Sequence, residues 1–262
     1  MTGEPDRLTT RVGHAGWNDH RHFGYSVFGE LAGTTSTTGL IAMAASGRKL
    51  PEEDCRLLDD IAVILTVADP RIYPLKLVRL VSSYGDPLAG LSAAIAAMQG
   101  AIVGPQISMG AAFWLLEMEK TVDLEAAVAR SFQDQGRIAG FGVPFREVDE
   151  RAVALEKRAR ETGRDSGKYW KLQERITGIV RGTRGLSCNV GLPVAALSLD
   201  MGLQPEQLAS LYTGLTINVF LANAVEGAAQ APSILRNLPD SSIEYIGTPP
   251  RSYPKAARKY VN

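Results

Sequence analysis

Beyond position 22 the 262-residue chain has no histidine: His14, His20 and His22 all fall in the segment GHAGWNDHRH. Any acid–base step in the main body must therefore use carboxylates, Lys, Tyr or the substrate itself. His20 and His22 with Asp19 are metal-type ligands, but the HxH pair has no third ligand at a recognisable spacing, so loop histidines are the expectation. The two cysteines, Cys55 and Cys188, are far apart and show no CxxC spacing. That argues against a disulfide framework and fits buried free thiols in a reducing compartment. Aromatics make up only 7%, and 28 basic residues balance 28 acidic ones. Base-stacking platforms and nucleic-acid binding by bulk charge are both excluded. The N-terminus is acidic with no apolar segment behind it, so a cytoplasmic location is expected. No Walker A, GxSxG or HExxH pattern occurs.

What is present is apolar and helical. At 45% apolar the chain can build a sizeable core, as one large domain or a main domain with a smaller lobe. No charged residue lies between Pro87 and Leu116. Gly104-Pro105 divides that stretch and Ala and Gly outnumber Leu, so two small-residue helices are expected rather than a membrane span. Such a hairpin suits a core or a subunit interface, and a homodimer is expected. Pro51-Glu52-Glu53-Asp54 marks a helix start, because acids in a first turn complement the helix dipole. Helical spacing follows through Leu57, Leu58, Ile61, Ile64 and Leu65, and again through Leu75, Val78 and Ser82. Further helices are expected over Val122–Phe132, over 149–180 with a break at Gly163, over Pro193–Leu203 and over Pro205–Val225. The last thirty or so residues look irregular, with Pro232, Pro239, Pro249, Pro250 and Pro254. No alternating run long enough for a sheet is found. The expected class is all-α.

Two glycine-rich turns carry the candidate chemistry. The first, Gly136-Arg137-Ile138-Ala139-Gly140-Phe141-Gly142-Val143-Pro144, leads to Arg146, Asp149 and Arg151. Such turns expose N–H groups that hold anions, although a plain inter-helix loop has the same composition. Asp149 with Arg151 reads equally as a helix cap with an ion pair or as a ligand-binding couple. In the second, Gly185 to Pro193, Asn189 could fix either a backbone turn or a ligand.

Taken in order, these segments resemble the citrate synthase superfamily, with the citryl-CoA lyase-type members nearest in length. The resemblance is carried by Gly24-Tyr25-Ser26 through Gly33, Gly47-Arg48-Lys49-Leu50-Pro51, Ala68-Asp69-Pro70-Arg71 and Gly104-Pro105. It continues through Gly140-Phe141-Gly142 with Asp149-Glu150-Arg151-Ala152, Asn189-Val190 and Tyr245-Ile246-Gly247. It implies a two-lobed helical homodimer, with lobes 1–109 plus 206–262 and 110–205. The implied chemistry makes or breaks a carbon–carbon bond beside an acyl-CoA thioester, with no tightly bound cofactor and CoA thioester as a possible substrate. It also implies where the family's machinery has been replaced. The enol-stabilising histidine falls on Ile107 with Ser108 beside it, and the carbonyl-activating histidine on Val143. The aspartate base falls on Gly191, a substrate-binding histidine on Pro70, and a further arginine on Leu215. Standard citrate synthesis is therefore not expected, since each lost group typically costs about 10²–10⁴ in rate.

The residues left for a rebuilt site are Asp149, Asp69 and Ser108 as catalytic groups. Arg151, Arg146, Arg71 and Arg79 would anchor carboxylates. Ile107, Val143, Asn189 and Gly191 would line the pocket, and Gly140 and Gly142 would offer backbone to a CoA thioester. The expected substrate is a small carboxylate or acyl-CoA, with no nucleic acid, membrane or metal involved. The competing expectation is a catalytically inactive paralogue acting as a regulatory or structural subunit or as an acyl-CoA binding protein.

Overall fold

The computed structural model describes residues 8–100, 103–143 and 146–230, together with Ser241, Glu244 and 246–248. Tyr245 of the closing motif, Pro144 and the prolines beyond position 231 lie outside the described residues. An N-terminal ribbon opens the chain, with β1 (Gly13–Ala15), β2 (His20–His22) and β3 (Tyr25–Ser26) in an antiparallel sheet of order β1-β2-β3. This corrects the expectation of no sheet. Strands of two or three residues hold too few positions for alternation to register. Gly13 pairs with His22 and His14 with Arg21. Paired residues share a face, so His14 lies opposite to His20 and His22, and the three do not converge.

Eleven helices follow among the described residues: α1 (Thr37–Ser46), α2 (Glu52–Ile64), α3 (Tyr73–Tyr84), α4 (Pro87–Ala97), α5 (Pro105–Glu119), α6 (Leu124–Gln135), α7 (Glu150–Glu161), α8 (Lys168–Arg184), α9 (Gly191–Asp200), α10 (Pro205–Leu215) and α11 (Ile217–Ala228). Their starts follow the chemistry of the sequence. Asp86, Asp123 and Asp149 each cap a helix by accepting from a backbone N–H of its first turn, which satisfies an otherwise orphan donor. The uncharged stretch divides as expected, α4 ending before Gly104 and α5 beginning at Pro105. Two features were not expected. Helix α1 is small-residue and apolar almost throughout, so it shows no periodic stripe. The run from Pro205 bends at Thr216 into α10 and α11 rather than forming one helix. That run of 24 residues is long and apolar enough to cross a membrane, yet half of it is buried inside the fold.

The apolar residues form two clusters. The larger one centres on α5, which packs against α9 and α10. Ala111 and Ala112 of α5 and Ala195 and Ala196 of α9 are fully buried, which lets the helix backbones approach closely. Trp114, Leu115, Trp170, Leu197, Leu208 and Tyr212 fill the space around them. The buried Tyr212 hydroxyl meets Ser198 Oγ at 2.7 Å, so neither polar group is stranded. The smaller cluster joins α3, α4 and α11 through Leu75, Val78, Ala94, Met98, Val219, Phe220 and Ala224. The larger cluster draws on both expected lobes, because position 109/110 falls inside α5.

Helix α8 is started from outside itself. Asp200, at the end of α9, accepts from the N–H groups of Tyr169 and Trp170 at 2.9 Å each. Burial pushes this carboxyl upward while those same bonds pull it down, and the net direction is up.

Helices α3 and α4 cross so closely that a Cβ on Gly90 would overlap Ser82 Oγ and stand 2.9 Å from the Val78 carbonyl oxygen. Gly90→Ala should therefore cost about 1–3 kcal/mol by overpacking, read as a lower melting temperature. Ser82 Oγ is buried with no hydrogen-bond partner. Ser82→Ala should consequently be neutral or slightly stabilising in the same assay, since it removes a desolvated hydroxyl.

Candidate active site

Four segments meet at one place: the start of α5, the turn ending at Val143, the cap of α7 and the turn into α9. The two glycine-rich turns are tied to each other. Phe141 and Cys188 form a single antiparallel bridge. The Asn189 N–H donates to the Gly140 carbonyl at 2.9 Å, and the Gly142 N–H donates to the Ser187 carbonyl at 3.0 Å. Asn189 Nδ2 adds a bond to the Gly142 carbonyl at 3.2 Å, while its Oδ1 accepts from the Gly191 N–H at 3.0 Å. Asn189 therefore fixes backbone at both ends of its amide. Gly140 permits this approach through a φ of +94°, with a would-be Cβ 2.8 Å from Leu192 Cβ.

Asp149 is the anchor of the site. Its side chain is only 2% exposed. Oδ1 accepts from the Arg151 N–H at 3.1 Å and from Arg151 Nε at 2.9 Å. Oδ2 accepts from Arg151 NH2 at 2.8 Å and from the Val190 N–H at 2.9 Å. Burial pushes its pKa up, but the bonds from Arg151 and Val190, with the Arg151 charge, outweigh that and hold the carboxyl below its usual value. Four donors occupy its oxygens. Arg151 is oriented by this pairing yet stays 37% exposed, with its NH1 edge open among the described residues. A fixed guanidinium with one free edge is suited to a carboxylate or phosphate.

Asp69 and Arg71 form a second carboxylate–guanidinium couple, with Arg71 Nε at 3.0 and 2.9 Å from the two Asp69 oxygens. The Arg71 side-chain bonds hold the Asp69 pKa at about 2. Arg146 pairs with Glu150, and its charge also acts on Asp69, while Arg71 and Asp149 act on it. Arg146 thus lies within electrostatic range of Asp69 and Arg71 before α3 and of Asp149 at the cap of α7. Arg79 is engaged elsewhere, where it clamps α3 to α11. Its Nε bonds Asn223 Oδ1 at 2.8 Å, its NH1 bonds Gln230 Oε1 at 3.3 Å, and it pairs with Glu226.

Ile107 and Gly191 are in contact. A Cβ at Gly191 would lie 2.7 Å from Ile107 Cγ2 and 3.0 Å from Asn189 Oδ1. Ser108 is buried on the stripe of α5 that also carries Ala111, Ala112 and Leu115. Val143 is half-buried. Arginine chemistry above thus meets an apolar floor below. Sequence reasoning missed two features. The Val190 N–H on Asp149 joins segments 41 positions apart, which no local pattern signals. Arg184 also lies over the Phe132 ring at 4.5 Å. Among the described residues no group of three His, Cys, Asp or Glu could hold a metal ion.

The family model for the citrate synthase C-terminal domain matches residues 76–237, more than half of the chain. The protein therefore belongs to the citrate synthase family. Its fold is similar to that of the citryl-CoA lyase from Hydrogenobacter thermophilus, with a TM-score of 0.83, 21% identity and coverage of 96% of this chain and 99% of that one. It is also similar to the ATP citrate lyase from Methanothrix soehngenii, solved with citrate and coenzyme A, with a TM-score of 0.76 and 16% identity. There, 94% of this chain covers 43% of the other. For the citrate synthase from Thermotoga maritima the TM-score is 0.64 at 20% identity, over 81% of this chain and 58% of that one. No curated protein matches the sequence.

Because its folded pKa is depressed, Asp149 contributes stability that is complete above its unfolded pKa of about 3.9 and is lost as pH falls toward the folded value. Urea midpoints should have a steep acid limb below about pH 4 that Asp149→Asn flattens. The same substitution should cost about 3 kcal/mol at neutral pH, because it leaves Arg151 unpaired and the Val190 N–H poorly satisfied. Gly191→Asp alone should destabilise by about 2 kcal/mol through collision with Ile107. Adding Ile107→Ala should recover part of that loss, a coupling above about 0.5 kcal/mol in a double-mutant cycle.

Proposed function

We propose that this protein cleaves a carbon–carbon bond next to a carbonyl or thioester in a carboxylate-bearing substrate, and that it does not run standard citrate synthesis. The observation that carries this reading is Arg151, locked by a buried Asp149 yet itself 37% exposed. The fold similarity to a citryl-CoA lyase over nearly the full length of both chains supports the same chemistry. An acyl-CoA or small carboxylate is the substrate class, with the Gly140–Gly142 turn offered to the thioester. Arg151 holds a substrate carboxylate, and the apolar floor of Ile107, Val143 and Gly191 strengthens that contact by keeping water out. In such a cleavage the hydroxyl oxygen of the substrate loses its proton and becomes a carbonyl. The carbon–carbon electron pair passes to the thioester α-carbon, which takes up a proton. Asp149 and Asp69 are both held ionised by arginines, so they act as counter-ions and orienting groups. The hydroxyl proton passes to a carboxylate of the substrate itself, directly or relayed by the Ser108 hydroxyl, and from there is available to the α-carbon.

A second reading is supported by the contact between Ile107 and Gly191. The two positions aligned with the family's enol stabiliser and base fill each other's space, as expected for a catalytically inactive paralogue or an acyl-CoA binding subunit. The two readings separate on turnover.

A cytoplasmic homodimer completes the proposal. Leu88 and Ile95 of α4 and Leu221 and Val225 of α11 are exposed on helices that pack together, which supports a shared apolar interface. Sedimentation should give a dimer at micromolar concentration, and Leu88→Lys with Val225→Lys should give a monomer.

Thermal melting should be measured against CoA, acetyl-CoA and a panel of keto acids and di- and tricarboxylates. A true ligand at 100 times its dissociation constant adds about 2.7 kcal/mol, a shift of several degrees. Arg151→Ala should abolish that shift and any turnover. It should also lower the unliganded melting temperature by several degrees, because it strips two donors and the charge from the buried Asp149 carboxylate. Ligand shifts are therefore read against each variant's own unliganded melt. Shifts without turnover on any thioester would favour the inactive subunit, and no shift with any compound would overturn the lyase proposal.

A further inference from the structure

A cavity of about 380 Å³ opens between α7 and α8. Its lining includes Ser187, Cys188 and Pro193 of the second glycine-rich turn but none of the candidate catalytic or carboxylate-anchoring side chains. Val153, Trp170 and Pro193 form apolar walls, and Gln173, Thr177 and Arg181 lie in its lining along one side of α8 at four-residue spacing. Gln173 is 4% exposed, yet its one hydrogen bond is a long one, Oε1 accepting from Thr177 Oγ1 at 3.5 Å. Its Nε2 has no acceptor among the described residues. The amide nitrogen is not sealed from solvent, since it opens on the cavity that Gln173 lines, so an acceptor on a ligand there would replace water. Arg181 likewise has no carboxylate partner among the described residues. The two glutamates of the lining are paired instead, Glu156 with Arg160 and Glu174 with Lys171.

We infer that this cavity is a second binding site, for an elongated monocarboxylate with an apolar middle and a neutral carbonyl at its far end. The carboxylate pairs with Arg181, the carbonyl accepts from Gln173 Nε2, and the chain between them lies against Val153 and Pro193. Eight residues of helix separate the two anchors, a rise of about 12 Å. Side chains close part of that distance, so a ligand with a backbone of about eight carbons spans it. The cavity lies within the volume range of small-molecule sites, and the inference does not depend on what the cleft catalyses.

Monomethyl suberate is the probe, with octanoate lacking the carbonyl and dimethyl suberate lacking the charge. Binding is followed by calorimetry and by N-ethylmaleimide labelling of Cys188 in a Cys55→Ser background. Burial pushes the Cys188 thiol above its usual pKa, so labelling is slow and protection is readily timed. Monomethyl suberate should bind, slow the labelling, and exceed octanoate by about tenfold, the worth of one good hydrogen bond. Arg181→Gln, at an exposed position, should weaken both acids about tenfold. Gln173→Leu should erase the difference between them. Three results would overturn the site: no binding at about 10 mM probe, binding untouched by Arg181→Gln, or dimethyl suberate binding as well as the monoester. Should Gln173→Leu fail to fold, Arg181→Gln and the ligand series still decide the matter.

Discussion

The buried carboxylate of Asp149 does three things at once, and the arrangement of the cleft depends on their being simultaneous. It caps α7, it receives the Val190 N–H where the chain turns into α9, and it orients Arg151 through a two-pronged pair. An isolated buried carboxylate would be very costly. This one is stable because four donors surround it and because one of them carries a full positive charge. Remove it and the two glycine-rich turns keep their backbone bonds to each other but lose their tie to α7. The open edge of Arg151 would then have no fixed direction.

Around that anchor the chemistry divides by layer. Arg71, Arg146 and Arg151 are each paired with a carboxylate, Asp69, Glu150 and Asp149, so the guanidinium groups are held in place without a net charge, while Ile107 and Gly191 form an apolar contact. In the proposed site, low polarity around Arg151 strengthens its pull on a substrate carboxylate. The candidate carboxylates are weak bases, since the arginine beside each lowers its pKa. Asp149 and Arg151, a couple with two equally good readings in sequence, form a cap and an oriented guanidinium together.

Much of the fold was legible because helices announce themselves locally. Proline and acids at Pro51–Asp54, Asp149 as a helix cap and the Gly104-Pro105 break each act within one turn of helix. The parts that were missed lack such signals. Helix α1 is too uniformly apolar to show a stripe, and the β1–β3 ribbon is too short to show alternation. The bend at Thr216 separates two stretches that are equally apolar on both sides. In the site, Ile107, Gly191 and Val143 were legible only through family resemblance, and Arg79 looked like the other arginines until α11 claimed it.

The order of motifs, the absence of histidine after position 22 and the glycines of both turns were determined by the sequence alone, since each is a property of residue type and spacing. Tertiary structure alone decided that Asp149 ties Arg151 to the turn into α9, that Ile107 packs against Gly191, and that Gln173 lines a cavity. The physical reason is range. Capping and helical periodicity act over about four residues, whereas Asp149 and Val190, or Arg79 and Asn223, meet only when distant segments pack and are forced to satisfy each other's buried polar groups.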